Sequence, residues 1–222
     1  NASDKFESAD QDTAAQEQVE ALPPGVLRVF GSERLRTWGE AFSLALSQDG
    51  KTLAVGSPGG LMLVDWRSGK TLKVLPSTSQ PTSVSFNPEG KLVATGDESG
   101  IVEIWDIVEG VMVRSIAADT SAVWSVVFSP DGESLITGGI DGSIKFWEVA
   151  TGKLQRQWQA HAASEARRSH GVALGATQDG KHLVSGHGDG LVRVFETSSG
   201  ALLHSFQAHD PAHMGVGGVA IS

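Results

Sequence analysis

Val123-Trp124-Ser125-Val126-Val127-Phe128-Ser129-Pro130-Asp131-Gly132 opens the stretch that decides the fold. Ser134-Leu135-Ile136-Thr137-Gly138-Gly139, Asp141-Gly142, Ile144-Lys145-Phe146-Trp147-Glu148 and Thr151-Gly152-Lys153 follow at once. Apolar runs of strand length alternate here with glycine turns, and the runs are rich in the β-branched and aromatic residues that suit a pleated surface. The pattern recurs. Its first turn, an acidic residue followed by glycine, stands at Asp49-Gly50, Glu89-Gly90, Asp131-Gly132 and Asp179-Gly180, at intervals of 40, 42 and 48 residues. A repeat of that length carrying several short strands predicts a propeller blade. Side chains alternate with period two: Val102 and Ile104, Ile144 and Phe146, and Val192 and Val194 share one face, with Glu103, Lys145 and Arg193 on the other.

Composition narrows the classes. The 222 residues include 27 glycines and 8 prolines, which suits an all-β chain with many tight turns. No apolar run approaches the ~20 residues of a membrane span, and no signal peptide opens the chain. Membrane insertion is not expected, and the chain reads as soluble and intracellular, in an undetermined compartment. Cysteine is absent, so disulfide and thiolate chemistry are excluded. The net charge is −9, and residues 1–20 hold −5 of it through Asp4, Glu7, Asp10, Asp12, Glu17 and Glu20 against Lys5. An acidic chain without a basic stripe does not suit nucleic-acid phosphates.

Two regions follow. Residues 1–24 form an acidic, Gln/Ala-rich tail closing at Pro23-Pro24, read as solvated. Residues 25–222 form the repeat domain, with full units at about 42–78, 82–119, 123–161 and 171–209. Residues 26–38 read as half a unit, and 214–222 as a single strand, Val216 to Ser222, matching the first strand of the quoted unit.

On these residues the chain resembles the WD40-repeat β-propeller family. The likeness rests on the Ser129-Pro130-Asp131-Gly132 type of turn, on Trp105-Asp106, and on Trp147-Glu148 and Phe195-Glu196. Val64-Asp65-Trp66 reverses the pair, which predicts a one-residue slip of register in the first unit. The resemblance implies a partial ring of four full blades with a half-blade before them and a strand after them. It also implies hydrogen-bonded ties between a His, a Ser or Thr, an Asp and the Trp of each blade. By that analogy Thr95 and Trp105 tie unit two, and Thr137, Asp141 and Trp147 tie unit three, where Asp119 stands in the His place. His161, Ser185 and Asp189 tie unit four, where Phe195 replaces Trp. Ser, His and Asp also spell a hydrolase triad, but no nucleophile elbow accompanies them.

Family rings most often have seven blades, which needs about 290 residues at this period. The expectation is therefore a ring completed by further sequence or in trans, by other chains or a second copy. A strained five-membered closure is the alternative. By the resemblance, function falls to the loop faces: a non-catalytic scaffold for other proteins, with no cofactor. Its rivals are a structural subunit of a larger assembly and a metal-binding or enzymatic propeller. The longest link, 162–170, holds Arg167, Arg168 and His170, which could dock a carboxylate or phosphate or simply be solvated. Trp124 reads either as a partner anchor or as packing between blades. All seven histidines lie between His161 and His213, His187 among them as a further candidate partner contact, with no HxH or HxxxH spacing on one element. No metal is expected on that spacing.

Overall fold

A computed structural model describes residues 41–77, 80–161, 171–209 and 216–221. The tail, the half-unit 26–38, and Arg167, Arg168 and His170 lie outside the described residues. Those described form sixteen strands and no helix, in four antiparallel sheets of four. Sheet one comprises β1 (Ser43–Leu46), β2 (Thr52–Ser57), β3 (Gly60–Asp65) and β4 (Lys70–Leu75). Sheet two has β5 (Pro81–Phe86), β6 (Leu92–Asp97), β7 (Ile101–Asp106) and β8 (Val111–Ala117). Sheet three has β9 (Val123–Phe128), β10 (Ser134–Gly139), β11 (Ser143–Glu148) and β12 (Leu154–Gln159). Sheet four has β13 (Ala173–Ala176), β14 (His182–Gly186), β15 (Leu191–Glu196) and β16 (Leu202–Gln207). Within each sheet neighbours in sequence are neighbours in space, the simplest meander.

The first turn of each unit explains the Asp-Gly repeat. Gly132 takes φ 74°, which a side chain rarely adopts, and Asp131 accepts the Ser129 hydroxyl and the Glu133 amide. The expected slip in the first unit does not occur. Thr52 pairs with Asp65 as Leu92 pairs with Asp106 and His182 with Glu196. Val64, fully buried, therefore takes the place of Trp105, Trp147 and Phe195, and Asp65 caps its turn by accepting the Arg67 and Ser68 amides. Trp66 instead donates its indole N–H to the Gly50 carbonyl. The aromatic moved by one residue, while the strand did not, because the turn capped by Asp65 fixes register.

The core lies between sheets. Ala54, Leu61, Leu63 and Leu75 of sheet one meet Val84, Val93 and Trp105 of sheet two. Ala94, Val102, Ile104 and Ile116 meet Val126, Phe128, Leu135 and Trp147. Ile136, Ile144 and Phe146 meet Leu174, Leu183 and Phe195. Fully burying each such side chain contributes about 1.5–3 kcal/mol.

Three further devices recur at these junctions. A glycine near the end of each second strand leaves room for the next inner strand; a Cβ on Gly96 would come within 2.7 Å of Val123, and one on Gly138 within 2.3 Å of the Val172 carbonyl. Serine hydroxyls of one inner strand accept amides of the next: Ser43 from Val84, Ser83 from Val126, and Ser125 from Leu174. Cations on the outer strands donate to the next sheet's last turn: Lys73 to the Ile107 and Val108 carbonyls, Arg114 to Ala150 and Thr151, and Arg156 to Ser198.

Residues 216–221 form no ladder, contrary to the strand expected there. Val216 nevertheless packs with Val184 and Val192, beside Val194, Val219 and Ile221, and its amide donates to the His187 carbonyl at 3.0 Å. Val172 donates to Gly139 in the same way one unit earlier. The segment thus lies where a following inner strand would lie, with no further backbone hydrogen bond to another of the described residues.

Candidate functional site

The inner strands of all four sheets surround a concavity of about 920 Å³, lined among others by Leu44, Leu46, Ser85, Trp124, Val127 and Gln178. Val126 and Phe128 of β9 pack with sheet two and Val127 with sheet four. Trp124 lies beyond the register shift at Gly138 and Gly139, at the end of the strand. It is half-buried, next to Gly171, where an added Cβ would stand 2.6 Å from the Trp124 Cβ, and beside Ile140. Part of the indole packs, and part faces the concavity.

The ties between blades differ in each sheet. In sheet three the Trp147 indole donates to the Thr137 hydroxyl at 2.9 Å. Asp141 accepts the Ser143 amide, and Asp119 accepts Lys145 Nζ at 2.5 Å with Asp141 3.8 Å away. Burial, the largest single effect, works to raise the Asp119 carboxyl, but the Lys145 hydrogen bond and charge and the Ser121 amide and hydroxyl together outweigh it and hold the group below its ordinary value. In sheet two the structure does not pair Trp105 with Thr95. Trp105 donates to Glu103 Oε2 at 3.3 Å, and the Ser77 hydroxyl donates to the same oxygen at 2.7 Å. Thr95, itself buried, sits opposite Glu103 in the ladder.

In sheet four His161 bridges its partners, with Nε2 2.7 Å from the Ser185 hydroxyl and Nδ1 3.0 Å from Asp189 Oδ2. Arg193 reaches both Asp189, at 3.1 Å, and His161 Nδ1. The order Ser–His–Asp matches a hydrolytic relay, yet Ser185 is fully buried on a middle strand, where no substrate reaches its oxygen. The arrangement satisfies buried polar groups instead. Burial depresses His161 to about 4, against the opposing pull of Asp189.

Sequence reasoning had placed His187 as a partner contact. It is fully buried instead, its ring 5.0 Å from that of His161, and among the described residues neither ring nitrogen makes a close hydrogen bond, the Ile140 backbone drawing on the ring only weakly. His161, His187 and Asp189 offer ligand atoms all within 4.8 Å of one another, on two loops that only the fold brings together. Spacing along the chain could not show that meeting. Ser77 and Glu103 were also missed, although an acid at an inward position of a buried strand was the available signal.

Four meander sheets joined inner strand to inner strand define a repeat protein of the β-propeller class. Comparison with known families then gives the particular one: the model for WD40 (WD domain, G-beta repeat) matches residues 69–106, 110–148 and 152–196. These spans cover more than half of the chain, which belongs to the WD40-repeat family. Among characterised proteins it is similar to Periodic tryptophan protein 2 of Saccharomyces cerevisiae (strain ATCC 204508 / S288c), with 32% identity over 71 residues, 31% of this chain. The aligned part is 8% of that relative's length.

Proposed function

We propose that the chain is a non-catalytic scaffold that binds other proteins, with the concavity and its Trp124 rim as the contact surface. WD40 repeats support a protein-interaction role in general, and the observation carrying the finer reading is the half-buried Trp124 at the edge of a preformed cleft. An aromatic held by packing in the wall of a cleft loses little entropy on binding, which is how interface anchors gain affinity. The junctions buried on both sides hold the cleft's walls, so a partner meets a surface that needs little rearrangement.

The test is capture of partners from a lysate by immobilised wild-type chain and by Trp124→Ala, with the melting temperature of each recorded. The reading expects a discrete set of polypeptides retained by the wild type and lost by a variant that melts as before. Retention of the same set by Trp124→Ala, or of none by the wild type, contradicts it.

A second reading, a subunit of a larger assembly, rests on the apolar surface of sheet four, where Leu202 and Phe206 are 53% and 54% exposed. Light scattering of the purified chain separates the two. The scaffold reading expects a 23.2 kDa monomer, and the assembly reading expects a discrete oligomer.

A further inference from the structure

The cluster between sheets three and four can be compared with its counterpart one junction earlier. Asp119 and His161 hold equivalent places, since their amides donate to Gly100 and Gly142 carbonyls of equivalent turns. Gly139 and His187 correspond, each accepting the next segment's amide, from Val172 and Val216. Asp141 corresponds to Asp189, and Lys145 to Arg193. The earlier site is already a cation site: Asp119, Asp141 and the Ala118 carbonyl surround the Lys145 ammonium at 2.5, 3.8 and 3.2 Å.

In the later site an imidazole replaces the first carboxylate, and a second imidazole, His187, stands where sheet three has Gly139, a place closed there to any side chain because an added Cβ would meet Asp119 Oδ2 at 2.6 Å and Asp141 Oδ1 at 2.7 Å. His187 brings two fully buried ring nitrogens that make no close hydrogen bond among the described residues, with the Ile140 backbone drawing on the ring only weakly, an arrangement that costs free energy unless a ligand meets them. Its Nδ1 lies 3.9 Å from Asp189 Oδ1, too far for a hydrogen bond. Ligands held about 2.0–2.2 Å from a shared ion stand roughly 3–4 Å apart. His161 Nδ1 stands 3.0 and 3.2 Å from the two Asp189 oxygens.

We propose that His161, His187 and Asp189 form a site for a divalent transition-metal cation, occupied in the metal-free chain by the Arg193 guanidinium. Two imidazoles and one carboxylate suit Zn²⁺, Co²⁺ or Ni²⁺ better than Ca²⁺ or Mg²⁺, which prefer oxygen. The ion enters as Arg193, 18% exposed, swings outward, and the charge lost with the guanidinium is restored by the metal. Binding then clamps the end of β12 to the turn between β14 and β15, fastening two sheets.

The test titrates the full chain with Co²⁺ in chelator-free buffer and reads the visible absorption of the bound ion. The proposal expects one ion per chain, with affinity weakened about tenfold or more in His187→Ala and strengthened in Arg193→Gln, which removes the competing charge. Alanine at 187 is compatible with folding because glycine holds that place in sheet three, and circular dichroism checks it. Zn²⁺ is also expected to raise the melting temperature of the wild type and not that of His187→Ala. No Co²⁺ absorption, binding undiminished in His187→Ala, or weaker binding in Arg193→Gln overturns the proposal. Undiminished binding would place the ion on other histidines, such as the exposed His204.

Discussion

The junction between sheets three and four and the far face of sheet four are the same surface at two successive repeats, yet they end differently. Ile136, Ile144 and Phe146 correspond to Val184, Val192 and Val194, and Trp158 to Phe206. Trp158 is stacked on Phe146 with ring centroids 5.2 Å apart and lies 5.9 Å from the Phe195 ring, and a Cβ on Gly200 would stand 3.0 Å from its ring. Phe206 is 54% exposed. The sequence changes with the environment. Ser125, whose hydroxyl fastens Leu174, is followed one unit later by Ala173, and Arg156, which fastens Ser198, is followed by His204. Only the glycine device is kept, since Gly186 still admits Val216 and Val219. Apolar character therefore repeats along the whole array, while the polar fasteners occur only where a sheet follows among the described residues. That difference teaches which residues make a blade and which join two blades.

The comparison can be broken most forcefully in the core. Leu183→Ala, at a fully buried junction position, is expected to cost about 2–5 kcal/mol in urea unfolding. Phe206→Ala should stay within about 0.5 kcal/mol, because its ring is half in water already. Equal losses at the two sites would erase the distinction between joined and open faces.

Glycine replacement gives the next largest contrast. Gly138→Ala drives a Cβ to 2.3 Å from the Val172 carbonyl, a backbone atom between two packed sheets, and should cost about 1–3 kcal/mol. Gly186→Ala meets the Val216 side chain at 2.4 Å on a segment outside any ladder, which can move away. A smaller loss of stability with faster amide exchange at Val216 is the expected outcome there.

Acid sharpens the same contrast through His161. Its folded value, about 4, lies below the ordinary 6.5 because burial disfavours the charged ring. The unfolded chain therefore takes up the proton first, and stability present above about pH 6.5 is lost as the pH falls towards 4. The loss approaches about 1.4 kcal/mol per pH unit within that window. Unfolding curves between pH 7 and 4 should show that slope in the wild type and a shallower one in His161→Asn. Identical slopes would mean that the ring is charged or exposed in the folded chain.

The smallest expected effect is at the hydroxyl fastener. Ser125→Ala leaves the Leu174 amide without its acceptor and should cost about 1 kcal/mol, measured as a shift in denaturation midpoint. Ser43→Ala and Ser83→Ala should behave alike, and a neutral result at all three would remove the hydroxyls from the account.

Much of the fold was legible because its determinants are local. The Asp-Gly turns and the period-two runs each act within about ten residues, and their recurrence marks out the units, so the chain displays them directly. The register of the first unit was misread because Trp66 was weighted above the capping Asp65, and turn geometry fixes register more firmly than an aromatic does. Ties crossing between sheets were less visible. Trp105 turns to Glu103 rather than Thr95 because a buried carboxylate requires donors and the indole N–H is the nearest one in its own strand. His187 looked like a loop residue by spacing, and only three-dimensional packing buries it against His161. Val216 and its neighbours had a strand's pattern but lack a ladder, since alternation cannot supply the second strand that hydrogen bonds demand.

Hydrogen–deuterium exchange read by mass spectrometry across the four sheets tests the central claim, that rigidity resides in the junctions, most directly. The account predicts slow exchange in β6, β7, β10 and β11, whose sheets are covered on both sides, with β14 and β15 intermediate. The amides of residues 217–221, outside any ladder, should exchange fastest, while Val216 is retarded by its bond to His187. Uniform protection throughout, or faster exchange in β10 and β11 than in β14 and β15, would contradict it.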